Sequence, residues 1–267
     1  MTAEYPFSVP AGEFAGKRVL ITGGTKGLGA AMVQRFLLSG AKVATTARSP
    51  DEGGIAPSMF ITADLATVSG AQAVVDNVLG EWGGIDILIN NVGATVLPPT
   101  PIEELTEERW QNILNINLMS AVRLDRAFLP GMVERKSGII IHIGTVWHRL
   151  PQIDSSIAYS AAKGALSSYS KGLAKAFAPR GIRVNMVSPG CIETEAAYAW
   201  ITQIAESEGI SEDAARQRMM AFIGGIPLGR PGKPAEIAEL VSFLASDRGA
   251  FASGVDYFLD GGAFPAV

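Results

Sequence analysis

Lys17-Arg-Val-Leu-Ile-Thr-Gly-Gly-Thr-Lys-Gly-Leu-Gly29 decides the fold. Lys17 to Thr22 is a short apolar run that ends in glycines, the pattern of a buried strand entering a turn. Gly27 to Ser39 then reads as a helix, because Leu28, Met32, Phe36 and Leu37 recur at helical spacing and Gly40 stops it. Glycines in such a turn let backbone pass close to a pyrophosphate, whose charge the free N–H groups of the helix start favour. Many turns use glycine only for geometry. The strand before and the helix after are what point this one to a phosphate.

The same alternation runs outward from that turn. Strand-like runs recur at Ala41 to Thr46, Met59 to Thr62, Ile85 to Ile89, Gly138 to Ile143, Ile182 to Val187 and Val255 to Leu259. Helical segments fall near 67–81, 103–134, 157–178 and 235–246, the last with Pro234 in its first turn, where a missing N–H costs nothing. Strands apolar on both faces and separated by helices imply a mostly parallel sheet of about seven strands covered on both sides. Right-handed crossovers then give a doubly wound α/β fold of the Rossmann type. No repeat, low-complexity tract or linker divides 1–267, so one domain is expected. The irregular stretch is 195–227, which carries Tyr198, Trp200, Ile201, Met219, Met220, Phe222 and Ile223 without a strand and reads as a helical lid.

Composition narrows the class. A chain of 267 residues can bury a large core. Its 22 Lys and Arg against 26 Asp and Glu, net −4, argue against nucleic acid or an anionic membrane as partner. Cys191 stands alone and cannot form an internal disulfide, which favours a reducing, cytoplasmic setting. Met1 to Gly16 lacks the basic-then-apolar layout of a signal peptide, and no apolar stretch is long enough to cross a bilayer. Two histidines without cysteine partners do not reach metal-ligand spacing, so no metal is expected.

The glycine pattern is Thr-Gly-x-x-x-Gly-x-Gly rather than Gly-x-Gly-x-x-Gly. Asp64-Leu65 follows the third strand, Asn90-Asn-Val-Gly93 the fourth, and Asn117-Leu118 lies in the long helix. Tyr159-Ser-Ala-Ala-Lys163, Ser188-Pro-Gly190 with Thr194, and Asp260-Gly-Gly262 complete a set that spans nearly the whole chain. In this order the motifs resemble the short-chain dehydrogenase/reductase family. The resemblance implies a nicotinamide dinucleotide held by Gly23, Thr25, Lys26, Gly27, Leu28 and Gly29. Asp64 and Leu65 would meet the adenine, Asn91 and Gly93 the central part, and Pro189, Ile192 and Thr194 the nicotinamide end. It also implies a homotetramer, or a homodimer.

The second strand ends Thr45-Thr46-Ala47-Arg48, where an acidic residue about 20 positions past the glycines would grip a free ribose. Arg48, with Lys26 in the turn, instead suits a ribose phosphate through charge-assisted bonds, so NADP(H) is expected. Tyr159 and Lys163 are one helical turn apart and share a face. A phenol that titrates near ~10 is a sluggish acid at neutral pH, and a nearby ammonium favours its ionised form. The resemblance implies a catalytic set of Asn117, Thr145, Tyr159 and Lys163. Here Ile143-Gly-Thr145 stands where the family usually has Ser, with one residue inserted before Tyr159. Threonine keeps the hydroxyl and adds a methyl. Ser155 and Ser156 are the competing candidates and read as caps of the Tyr159 helix.

Around this centre the loop Trp147 to Gln152 flanks the substrate, with His148 and Arg149 able to meet an anion, and Cys191 and Tyr198 nearby. His142 alternates with Ile141 and Ile143 on a strand and reads as a core residue rather than a base. The expected activity is hydride transfer between NADPH and a small-molecule carbonyl or secondary alcohol. A narrower alternative is reduction of a 3-oxoacyl group on a carrier protein, although Glu206, Glu208, Glu212 and Asp213 offset the cations Arg216, Arg218, Arg230 and Lys233. A third reading is an NADP-sensing regulator that has lost the chemistry.

Overall fold

The computed structural model describes residues 5–50, 56–95, 101–151, 157–222 and 224–265. The strands are β1 (Arg18–Thr22), β2 (Lys42–Ala47), β3 (Met59–Thr62), β4 (Ile87–Asn90), β5 (Gly138–Ile143), β6 (Ile182–Pro189) and β7 (Asp256–Leu259). They form one sheet in the order β3-β2-β1-β4-β5-β6-β7, every pairing parallel. The helices are α1 (Gly27–Leu38), α2 (Val68–Trp82), α3 (Glu107–Leu114), α4 (Ser120–Arg135), α5 (Ile157–Phe177), α6 (Glu195–Glu208), α7 (Glu212–Phe222) and α8 (Pro234–Ala245). This is the Rossmann-like, doubly wound arrangement the alternation predicts.

Period-two alternation sorts the strand residues into two cores. Val19, Ile21, Val43, Ile87, Ile89, Ile141 and Val187 face one side, with Met32, Val33 and Phe36 of α1 and Ile237 and Val241 of α8. Leu20, Ala44, Leu88, Ile140 and Val184 face the other, against α2 and α4. Full burial of each large side chain contributes roughly 1.5–3 kcal/mol, so both faces must be covered. A charged clasp joins α1 to α8: Arg35, fully buried, meets Glu239 and Glu13, each at 2.7 Å.

One element departs from the sequence reading. The segment expected as a single helix over 103–134 is α3 and α4 joined by a π turn, Asn115–Met119. The Asn117 amide donates to Ile113 O at 3.0 Å and to Ala94 O at 2.8 Å, and its Oδ1 accepts from Ala94 N at 3.0 Å. Those bonds reward a locally wider turn, which periodicity alone does not reveal. The 195–227 stretch forms α6 and α7, which share a small core of Ile201, Ala215 and Met219. Ile223 lies outside the described residues. Among the described residues no helix is long and apolar enough to cross a membrane.

Candidate active site

Strand order reverses between β1 and β4, and a doubly wound sheet opens a crevice at the carboxyl ends there. A cavity of about 660 Å³ lies at this point, lined by Gly23, Lys26, Leu28, Gly29, Arg48, Asp64, Leu65, Asn91, Gly93, Tyr159, Lys163 and Thr194. The turn after β1 requires its glycines. Gly23 sits at φ +69°, and a Cβ on Gly29 would collide with the Gly23 carbonyl. Lys26 caps α1 with extended backbone and no side-chain bond, which leaves the first N–H groups of the helix for an anion.

The cofactor-side residues are braced by backbone. Asn91 donates its side-chain amide to Thr22 O at 2.8 Å and Gly23 O at 3.3 Å, tying the β4 loop to the glycine turn. Asp64 accepts from Ala66 N at 3.0 Å in an Asx turn. Four residues of the expected set do not line the cavity: Thr25, Gly27, Pro189 and Ile192. Ile192 instead packs into the α1–α8 core, and Pro189 pairs with Leu259 of β7. Gly27 backs onto Thr194, whose Cγ2 would lie 3.2 Å from a Cβ there. Asn112 and Ile116 line the cavity without having been singled out in the sequence. Asn112 lies in α3 and Ile116 in the π turn, and Asn117, five and one residues later, was their only signal.

Tyr159 and Lys163 project from α5 into this cavity one turn apart. Lys163 is buried and donates to Ile143 O at 2.8 Å, and burial lowers its amine to about 8. Burial pushes the Tyr159 phenol up to about 12, while a hydrogen bond with the Thr145 side chain pulls the other way. The sequence assigned that downward pull to Lys163. In the structure Nζ lies 6.0 Å from the phenol ring centroid and its hydrogen bond goes to Ile143, so the pull comes from Thr145. A Cβ on Gly93 would sit 2.9 Å from Asn117 Oδ1 and 3.1 Å from Lys163 Nζ, which places those two side chains around one point. Ser155, Ser156 and Gln152 lie outside the described residues.

A second cavity, about 270 Å³, opens beyond Tyr159 and shares Gly93, Ala94 and Tyr159 with the first. Thr145, Trp147 and Cys191 line it, as do Leu150, Trp200, Met219 and Phe264. Burial, with Glu193 nearby, pushes the Cys191 thiol up to about 11, so it is an uncharged wall rather than a nucleophile. His148, Arg149 and Tyr198 are placed elsewhere. His148 Nδ1 donates to Thr145 O at 2.6 Å, its Nε2 lies 3.2 Å from Asp256 Oδ2, and its ring stacks on Phe258. Arg149 lines a separate cavity with Ser167, Lys171 and Asp256. Tyr198 is exposed and hydrogen-bonds Glu193 at 3.4 Å. His142 is fully buried, 3.0 Å from Asp125, whose other oxygen accepts from Asn90 at 2.8 Å.

Comparison with known proteins follows this geometry. The family profile described as short chain dehydrogenase matches residues 17–204. The 3-oxoacyl-(acyl-carrier-protein) reductase FabG of Escherichia coli (strain K12) is 34% identical over 258 residues, 94% of this chain and 98% of that protein. The 3beta-hydroxysteroid dehydrogenase 1 of Eggerthella lenta is 32% identical over 261 residues, 94% of each chain. Among solved structures, L-sorbose reductase from Gluconobacter frateurii, complexed with NADPH and L-sorbose, superposes with a TM-score of 0.88 at 32% identity, covering 95% of this chain and 98% of that one.

Proposed function

The chain belongs to the short-chain dehydrogenase family, and from that premise we propose an NADP(H)-dependent oxidoreductase that interconverts a ketone and a secondary alcohol with Tyr159 as general acid and base. The observation that carries the reading is the place of Tyr159, hydrogen-bonded to Thr145 at the one point where the two cavities meet. The larger cavity fits a phosphorylated dinucleotide. Its glycine turn admits no Cβ at Gly29, its helix start is uncapped, and Lys26 and Arg48 stand at its rim. Bound there, NADPH supplies the hydride that reaches the carbonyl carbon.

The protein's own residues handle the oxygen. Tyr159, protonated across the neutral range because burial holds its phenol high, donates its proton to the carbonyl oxygen as negative charge develops there. In the free protein the Thr145 hydroxyl donates to the Tyr159 oxygen. With substrate in place that one proton turns to the carbonyl oxygen instead. The hydroxyl is oriented by the turn it caps, where it accepts from Trp147 N at 3.3 Å. His148 braces the same turn from behind through the Thr145 carbonyl. Lys163, anchored on Ile143 O and lining the larger cavity, would hold the ribose hydroxyls of the cofactor. Asn117 fixes the loop around Ala94 beside them.

The test is the loss of reduced-nicotinamide absorbance over a panel of carbonyl compounds, beside a binding titration. Turnover by the native chain, with Tyr159→Phe binding NADPH equally but failing to turn over, is expected. Tight NADPH binding with no turnover of any carbonyl would favour the regulator instead. Carrier-protein reduction stands second, since three of the four cations near the 195–227 stretch pair with neighbouring carboxylates. Arg216 meets Asp213 at 2.8 Å, Arg218 meets Glu208 at 3.1 Å and Arg230 meets Glu236 at 2.6 Å.

A further inference from the structure

We infer that the substrate is an uncharged ketone whose body is an apolar ring or branched group, in place of a sugar, a keto acid or a carrier-bound thioester. The inference rests on the reductase reading above and concerns what the smaller cavity selects. Thr145 and Tyr159 offer hydroxyls at the corner where the carbonyl would sit, and Thr95 is the remaining hydroxyl among the described lining residues. Away from that corner the walls are Val146, Trp147, Leu150, Trp200, Met219 and Phe264. Trp147 stands edge-on to the Tyr159 ring, 6.3 Å between centroids at 86°, so an indole flanks the acid on the side of the smaller cavity.

Charge and size point the same way. Among the described lining residues none carries a charge, and the Cys191 thiol is held neutral by burial. The loop cations that could have met a carboxylate are committed elsewhere. His148 is buried against the Thr145 carbonyl and Asp256, and Arg149 opens onto a different cavity. A carboxylate in the pocket would therefore exchange water for apolar walls and meet no cation among the described lining residues, which is unfavourable. A ketose would strand most of its hydroxyls against indole and thioether, each losing its water without replacement. At about 270 Å³ the space equals about nine water volumes, room for a molecule of about a dozen heavy atoms. A bicyclic aryl ketone such as β-tetralone matches that size and chemistry.

The reaction balances as ketone plus NADPH plus one proton giving alcohol plus NADP⁺. Hydride forms the new C–H bond, the carbonyl π bond breaks towards oxygen, and Tyr159 supplies the O–H proton that solvent restores.

The experiment compares steady-state reduction by the full chain with NADPH and four probes: β-tetralone, L-sorbose, pyruvate and acetoacetyl-CoA. The expected result is a kcat/KM for β-tetralone at least ~10²-fold above each of the others, the scale on which a hydrophobic pocket rejects an added hydroxyl. Trp200→Ala should raise KM for β-tetralone roughly tenfold with NADPH affinity unchanged, as loss of ground-state contact does. Because that truncation could disturb α6, Trp200→Arg is the second variant. It should narrow the gap between pyruvate and β-tetralone by placing a cation at the wall. Faster turnover of L-sorbose, pyruvate or acetoacetyl-CoA than of β-tetralone overturns the inference while leaving the reductase reading intact. NADPH binding without turnover of any probe overturns both.

Discussion

Thr145 holds the acid in place at the scale of single atoms. Its hydroxyl bonds the Tyr159 phenol and opposes the upward push that burial exerts. Thr145→Ala removes the one hydroxyl proton that serves the phenol in the free protein and the developing oxyanion once substrate is bound, so kcat should fall on the order of 10²-fold or more. Thr145→Ser should restore most of it, because the hydroxyl rather than the methyl carries the effect. A mild alanine variant would move the role to another residue. Lys163 makes a separate prediction about stability. Its amine titrates near 8 when folded and near 10.5 when free. Below about pH 8 both states are protonated, and burying the charge costs about 3 kcal/mol. Between those values the unfolded chain holds the extra proton, so stability rises with pH across that window. Lys163→Met lacks the group. Chemical denaturation should show the native chain gaining about 3 kcal/mol on this variant from pH 8 to 10.5, and a constant difference would deny the buried amine. The spacing of Tyr159 and Lys163 made the pair legible in the sequence. What pulls on the phenol was not, since that depends on where Ile143 O and the Thr145 hydroxyl lie once β5 is built. Likewise His148 reads as a free loop cation until β7 brings Asp256 to within 3.2 Å of it.

Elements were legible where burial is two-sided. The central strands β1, β4, β5 and β6 sit where runs of Ile, Leu and Val predicted them, because a strand covered on both faces has no polar period to blur it. The edge strands β3 and β7, only partly buried, were read from shorter apolar runs. The joint between α3 and α4 was not legible, since a π turn changes register by one residue without changing composition. Asn117 is its fastener, with three hydrogen bonds to Ala94 and Ile113 from a buried side chain. Asn117→Ala leaves Ala94 N–H and C=O without those partners at the edge of the cavity. The expected loss is about 2–3 kcal/mol of stability, together with a fall in turnover as the loop bearing Gly93 and Ala94 loosens. Urea unfolding checks the first and steady-state kinetics the second. A variant of native stability and native activity would reduce the π turn to an ornament. The helices α6 and α7 were legible as apolar segments but not as to facing. Trp200 lines the smaller cavity while Tyr198, two residues earlier, points to solvent.

Across the whole molecule the sheet separates two decisions that share one crevice. At the β2 end Arg48 and Asp64 border the larger cavity, far along the strand order from the corner beyond β5 and β6 where Trp147, Cys191 and Trp200 stand. Among the described residues the cavities share Gly93, Ala94 and Tyr159. Dinucleotide choice and carbonyl choice should therefore vary independently, as distant sites without shared partners do. Ala47→Asp with Arg48→Gln removes a cation suited to the ribose phosphate and sets a carboxylate at the end of β2. One charge-assisted bond is worth about 1.5–3 kcal/mol, and repulsion from the new carboxylate adds to its loss. The ratio of kcat/KM with NADPH to that with NADH should then fall by about 10²-fold. The KM for the carbonyl substrate, measured at saturating cofactor, should stay where it was. A ratio that does not move places the phosphate-reading charge elsewhere, with Lys26 next to examine. A carbonyl KM that moves with it would mean that strain crosses the sheet, with the Asn91 hydrogen bonds to Thr22 and Gly23 as one bridge between the β1 turn and the β4 loop.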